Sequence, residues 1–222
     1  MPDEETGTAP TVASTDDQRT VLGHGEALPR PQLAGDARAP EDPDEAFPTV
    51  DHSYYKIDSE LARGGMGRIF TARDRRLGRL VAVKEVIVRE EAFLVRFDRE
   101  VRLTARLQHP GIVSIYEAGR WPSGEPFYAM RLIAGRPLDA VIAEARTLEA
   151  RRALLPHVLA VAEALAYAHD QRIIHRDLKP ANVLVGTYGE TVVIDWGLAK
   201  DLDAGSDDHD PTGPYRDGGE SL

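Results

Sequence analysis

The 222-residue chain contains no cysteine, which excludes a disulfide framework and every thiolate-held zinc or iron–sulfur site. It also lacks a long apolar run. The best stretch, residues 153–168, is interrupted by Pro156, His157 and Glu163, well short of the roughly 18 uninterrupted apolar residues of a membrane-spanning helix. The first five residues, Met1, Pro2, Asp3, Glu4 and Glu5, provide neither the basic nor the apolar region of a secretory signal. These absences predict a soluble, cytoplasmic chain with no membrane segment. At roughly 150 residues per domain, the length allows one domain with an extension, or part of a two-lobed one.

The net charge of -10 is unevenly placed. Residues 1–50 carry 11 acids and 3 bases, residues 51–200 carry 19 and 23, and residues 201–222 carry 7 and 1. The acidity therefore belongs to the ends. The first 50 residues also hold 7 of the 15 prolines and one aromatic, Phe47, a composition that buries too little apolar surface to offset chain entropy. Segment 1–50 is predicted to be disordered, and 201–222 likewise. The mildly basic middle suits a nucleotide phosphate and gives no reason to invoke nucleic acid.

Within that middle, residues 54–88 alternate as three antiparallel strands, with turns at Arg63, Gly64 and Gly65 and at Leu77 and Gly78. Residues 91–107 switch to helical spacing, with Phe97, Val101 and Leu107 on one face. Glu100 falls beside that stripe, where a carboxylate is costly unless paired. His109, Pro110 and Gly111 stop the helix, and extended runs follow at 112–117 and 127–133. After Gly135 the pattern turns helical, over 138–146 and then to about Asp170, with Leu155, Val158, Leu159, Ala162, Leu165 and Ala166 forming an apolar stripe. Pro156 favours a helix that begins there. A short strand pair, 183–185 and 191–194, completes an α+β arrangement.

Five sequence features carry chemistry. The stretch Leu61, Ala62, Arg63, Gly64, Gly65, Met66, Gly67, Arg68, Ile69 is a glycine-rich hairpin whose backbone N–H groups can approach phosphate oxygens. Lys84 ends the apolar run Val81, Ala82, Val83 and can hold a phosphate as a point charge if an opposite charge fixes its stem; Glu100 is the natural partner. In the string His175, Arg176, Asp177, Leu178, Lys179, Pro180, Ala181, Asn182, Asp177 can accept a proton from an attacking hydroxyl. Lys179 can neutralise a transferring phosphoryl group, and Asn182 can ligate a hard cation through its amide oxygen. Asp195, followed by Trp196 and Gly197, is a strand-end carboxylate suited to Mg²⁺. Taken singly, each feature also fits an ordinary turn or a solvated charge.

Together, and in this order, the five features resemble the signature set of protein kinases, and specifically the eukaryotic-like (Hanks-type) Ser/Thr kinases of bacteria. The run from Asp177 to Asn182 is similar to the Ser/Thr class, and the resemblance covers about residues 54–200. It implies a protein-kinase-like fold: an N-lobe over 51–134, with five strands and one helix, and an incomplete, mainly helical C-lobe over 135–200. It further implies ATP and Mg²⁺ as cofactors and a Ser/Thr hydroxyl of an unidentified protein as acceptor. The loop from Leu61 to Ile69 would cover the ATP phosphates, and Lys84, paired to Glu100, would contact the α- and β-phosphates. Ala82 and Leu184 would sandwich the adenine, whose edge would meet the backbone from Arg131 to Ile133 beyond Met130. Asp177 would orient and deprotonate the hydroxyl, Lys179 would stabilise the γ-phosphoryl group, and Asn182 and Asp195 would hold Mg²⁺.

Three positions depart from the family pattern: Ala62 for the first glycine, Trp196 for the usual Phe, and Thr104 where an apolar residue is usual. Trp196 brings an N–H that needs a partner. Only 25 residues follow Gly197, without the Ala-Pro-Glu element that closes the activation segment, so the resemblance implies a C-terminally truncated form. Its long helix would then show apolar surface that invites a protein partner. The alternative reading is a catalytically weak or inactive kinase-like module that binds ATP and a partner.

Overall fold

The computed structural model describes residues 47–64, 67–88 and 90–204. Expectations for the rest of the acidic N-terminal segment, for Gly65 and Met66, and for most of the acidic tail fall outside those residues. Five strands, β1 (Tyr55–Arg63), β2 (Gly67–Asp74), β3 (Arg79–Val86), β4 (Ile115–Arg120) and β5 (Pro126–Arg131), form one sheet in the order β1-β2-β3-β5-β4. Every neighbouring pair is antiparallel. A single helix, α1 (Glu91–Arg106), connects β3 to β4.

The alternation of β3 and β5 sorts their side chains onto two faces. Val81, Val83, Phe127 and Ala129 point to one cluster with Val50, Tyr55, Ala72 and Trp121. Val86 and Tyr128 point to the other, against Phe97 and Val101 of α1. Lys84 lies opposite Tyr128 in the β3–β5 register and so shares the face that meets α1. Pairing, more than local propensity, thus delivers the lysine to the helix.

Residues 47–50 depart from the expected disordered tail. Val50 donates its N–H to the Arg120 carbonyl at 2.8 Å, and Arg120 donates to the Pro48 carbonyl at 2.9 Å. Val50 is buried in the sheet core, while Phe47 packs on the α1 side and lies 5.0 Å from the Arg102 guanidinium. Gly119 makes room for this strap: a Cβ there would stand 2.5 Å from Val50 Cγ2 and 3.0 Å from the Pro48 carbonyl oxygen.

Beyond β5 come β6 (Gly135–Pro137), α2 (Leu138–Glu144), α3 (Leu148–Arg152), α4 (Leu155–Asp170), β7 (Ile173–Ile174), β8 (Val183–Gly186), β9 (Thr191–Val193) and β10 (Lys200–Asp201). β6, β8 and β9 form one small sheet, and β7 pairs with β10. The second core joins Ile112, Val113, Leu138, Ile173, Val183, Val192, Val193 and Trp196 with Leu103 of α1 and Leu107, which caps its C-terminus. The helix bearing Glu100 is therefore gripped by the sheet at its centre and by the second core at its C-terminal end.

α4 starts with Pro156 in its first turn, as expected. Its buried face, however, is built from Ala164 and Ala168, with Val161 and Leu165 beside them. Of the apolar stripe read from spacing, Leu165 packs inward, whereas Leu155, Val158 and Leu159 are 57%, 56% and 65% exposed. Alanines four apart let a helix approach its neighbours closely, so small residues took the core and the larger ones face outward. The helix does show the uncovered apolar surface expected of it.

Candidate active site

Lys84 and Glu100 meet. Lys84 Nζ lies 2.6 Å from Glu100 Oε1, and Glu100 is buried. The same oxygen accepts the Tyr128 hydroxyl at 2.7 Å, a partner that sequence spacing did not reveal. Thr104 fits its polar position by donating its hydroxyl to the Glu100 carbonyl at 2.7 Å, the bond back to i−4 that a helical Thr makes when buried. Lys84 Nζ also stands 3.9 Å from Asp195 Oδ1.

Asp195 follows β9 with a positive φ of 60°, a conformation uncommon for a non-glycine residue and frequent at functional sites. Gly197 keeps this corner open, because a Cβ there would meet Glu100 Oε2 at 3.3 Å and Asp195 Oδ1 at 3.4 Å. Between them Trp196 is only 1% exposed. Its Nε1–H finds no hydrogen-bond partner among the described residues, so the expected partner is not provided.

The loop before β8 gathers the second group. Lys179 Nζ donates to Asp177 Oδ2 at 2.7 Å, and Asn182 Nδ2 donates to Asp177 O at 2.9 Å and to Oδ2 at 3.1 Å. These bonds, Lys179's foremost, hold the Asp177 carboxyl below its ordinary range, so it is ionised at neutral pH. They in turn raise Lys179, chiefly through the bond to Asp177. Because both bonds use the amide nitrogen, the Asn182 amide oxygen is left as its donor toward a cation.

His175 organises this loop, a role that the sequence string did not assign. It is buried; Asp177 N–H donates to its Nδ1 at 3.3 Å, so Nε2 carries the proton given to the Ile194 carbonyl at 3.2 Å. Burial pushes its pKa down, and the neutral ring links the Asp177 loop to the residue preceding Asp195. The Asn182 carbonyl makes a second link, accepting Ile194 N–H at 2.9 Å.

The glycine hairpin closes with Gly64 N–H donating to the Gly67 carbonyl at 2.9 Å. Its two described glycines have different reasons. A Cβ on Gly67 would lie 2.5 Å from the Glu85 carbonyl oxygen, so strand pairing demands glycine there; a Cβ on Gly64 would meet nothing within 4 Å among the described residues. Leu61, Ala62 and Arg63 are exposed, Ile69 is half-buried, and Arg63 pairs with Glu60 at 2.8 Å. Ala82 is buried opposite Met130, while Met130, Arg131, Ile133 and Leu184 are half-buried. Arg131 N–H already donates to the Ser114 carbonyl at 2.9 Å, so that group is withdrawn from the expected adenine contact.

Among the described residues no three His, Cys, Asp or Glu side chains gather as a metal cage. Asp195 with Asn182 is a smaller, all-oxygen donor set. It fits Mg²⁺, which is held through one or two protein ligands plus substrate phosphates and water.

Residues 55–216 match the protein kinase domain. The chain is 38% identical over 157 residues to the serine/threonine-protein kinase PknA of Mycobacterium tuberculosis, covering 68% of this chain and 36% of that protein. It is 32% identical over 168 residues to the serine/threonine-protein kinase PknD of Protochlamydia amoebophila, covering 69% and 17%. To the probable serine/threonine-protein kinase PknB of Bifidobacterium longum it is 36% identical over 160 residues, covering 67% and 23%. The match thus spans about a sixth to about a third of these relatives' length. Among the described residues no helix is long and apolar enough to cross a membrane. With the paired Lys84 and Glu100, the Asp177 loop and Asp195 joined in one place, the chain belongs to the protein kinase domain family, with the bacterial serine/threonine kinases as its relatives.

Proposed function

We propose that this chain carries the catalytic centre of a protein serine/threonine kinase that moves the γ-phosphoryl group of ATP to a Ser or Thr hydroxyl of a protein substrate. The observation that carries the reading is the formed Lys84–Glu100 pair, with Lys84 3.9 Å from Asp195. A helix, a strand and the Asp195 corner converge there.

In this reading Gly64 and Gly67 cover the phosphates, with Leu61, Ala62, Arg63 and Ile69 beside them, and Lys84 holds the α- and β-phosphates. Ala82, Met130, Arg131, Ile133 and Leu184 line the adenine. Asp177, ionised because Lys179 and Asn182 bond to it, accepts the proton of the attacking hydroxyl. The new O–P bond forms as the bond from the γ-phosphorus to the bridging oxygen breaks, and ADP departs. During that exchange Lys179, held beside Asp177, stabilises the charge of the transferring group. Asn182 and Asp195 would hold Mg²⁺, which supplies neutralisation of phosphate charge. Most of the catalysis is positioning and electrostatics. We place this chemistry in the cytoplasm, which supplies ATP.

A second reading, an ATP-binding interaction module, draws on the exposed Leu155, Val158 and Leu159, a face that a protein partner would cover. Transfer of labelled γ-phosphate to Ser/Thr peptides separates the two. Transfer that disappears in Asp177→Asn supports the kinase; Mg-ATP binding without transfer supports the module.

A further inference from the structure

Tyr128 sits on β5 directly opposite Lys84. Its ring packs 5.4 Å from Phe97 of α1 and lies 5.6 Å beneath the Lys84 ammonium. Its hydroxyl donates to Glu100 Oε1 at 2.7 Å, the oxygen that Lys84 also uses. The residue is 5% exposed, and burial, reinforced by the Glu100 charge, pushes its pKa well up. The phenol therefore keeps its proton and donates at neutral pH.

The three groups are not equivalent if α1 shifts and carries Glu100 away. Lys84, 22% exposed and 3.9 Å from Asp195, can turn to that carboxylate or to water. The Tyr128 hydroxyl is buried and, among the described residues, hydrogen-bonds Glu100 alone, and a buried donor left without its charged acceptor is penalised by about 10- to 100-fold in the equilibrium. The ring explains the core contacts, while the hydroxyl's hydrogen bond goes to Glu100, with the Asp195 charge felt more weakly at the same phenol.

We propose that Tyr128 is a positioning residue for phosphoryl transfer: its buried hydroxyl makes the helix position that pairs Glu100 with Lys84 the resting state of this chain. The inference rests on the kinase reading for its functional consequence, while the structural claim stands apart from it. Tyr128 acts through Glu100 on Lys84 and touches no reacting atom.

Tyr128→Phe isolates the hydroxyl, since the ring and its contacts remain. Two readouts on the full chain test it: amide hydrogen exchange across α1, and affinity for Mg-ATP, each measured in the parent, Tyr128→Phe, Glu100→Ala and the double variant. We expect Tyr128→Phe to speed exchange in α1 about tenfold while β1 and β2 stay unchanged, and to weaken Mg-ATP binding about tenfold. In the Glu100→Ala background the same change should add nothing, because the acceptor is gone. Unchanged α1 exchange in Tyr128→Phe would overturn the proposal, as would an equal effect in both backgrounds, which marks an ordinary core contribution. If the parent fails to bind Mg-ATP, the kinase reading falls, and the exchange cycle alone still decides what Tyr128 does.

Discussion

Gly119→Ala is the smallest change that tests whether residues 47–50 belong to the folded lobe. Its added Cβ would stand 2.5 Å from Val50 Cγ2, 3.0 Å from the Pro48 carbonyl oxygen and 3.1 Å from Phe127 Cε1. None of these is the free end of a flexible side chain, and Phe127 is fixed against Trp121 with ring centroids 3.6 Å apart. The strap must therefore lift. Exposing the Val50 side chain costs about 1.5–3 kcal/mol, and exchanging two backbone hydrogen bonds for water costs about 0.5–1.5 kcal/mol each. The expected loss is about 3–5 kcal/mol, or about 10 °C in the midpoint of a domain this size. Thermal unfolding of the two chains measures it, with Gly64→Ala as control because its Cβ would meet nothing within 4 Å among the described residues. A Gly119→Ala midpoint within about 2 °C of the parent, given roughly 2–4 °C per kcal/mol, would refute the reasoning: the strap would then contribute nothing to the lobe.

Other consequences follow from the site and from α4. Lys179→Ala removes the main cause of the low Asp177 pKa, so the acid limb of the kcat/KM profile should move to higher pH; a limb that stays in place would separate Lys179 from Asp177. His175 is held neutral by burial, below its ordinary 6.5. Its contribution is complete above pH 6.5 and is lost as pH falls toward the lowered value. The thermal midpoint should decline as pH falls below 6.5, and His175→Asn should flatten that decline; parallel curves would show that other groups are responsible. Leu159→Lys replaces a side chain that is 65% exposed, so the thermal midpoint should show a stability change of no more than about 0.5 kcal/mol; a larger loss would mean that this face is covered in the folded chain.

The strands of the main sheet were legible because β3 carries a continuous apolar run, Val81, Ala82 and Val83, all three buried, bounded by turn residues at Leu77 and Gly78 and followed by Lys84. The pairing of Lys84 with Glu100 was legible for a related reason: helical spacing placed a carboxylate beside a buried stripe, where only a paired one is affordable. Tyr128 was hidden because an aromatic in an apolar strand reads as core, and its hydroxyl's acceptor comes from a helix 28 residues away. The apolar stripe of α4 was legible, and Leu155, Val158 and Leu159 are exposed as expected; its packed face was hidden because hydrophobicity ranks leucine above alanine, whereas close packing selected Ala164 and Ala168. Residues 47–50 escaped because composition averages over a window, and Phe47 and Val50 are diluted by the prolines and acids before them. β6, β7 and β10, at two or three residues each, are too short to show a period and exist only through their partners.

The central claim is that Lys84, Glu100, Asp177, Asn182 and Asp195 form one Mg-ATP site in the folded chain. Thermal unfolding with and without Mg-ATP tests it most directly, because a ligand that binds only the folded state must raise its stability. The account predicts a midpoint that rises with Mg-ATP in the parent and not in Lys84→Ala or Asp195→Ala. A cooperative transition unmoved by Mg-ATP, or one moved equally in both variants, would contradict it.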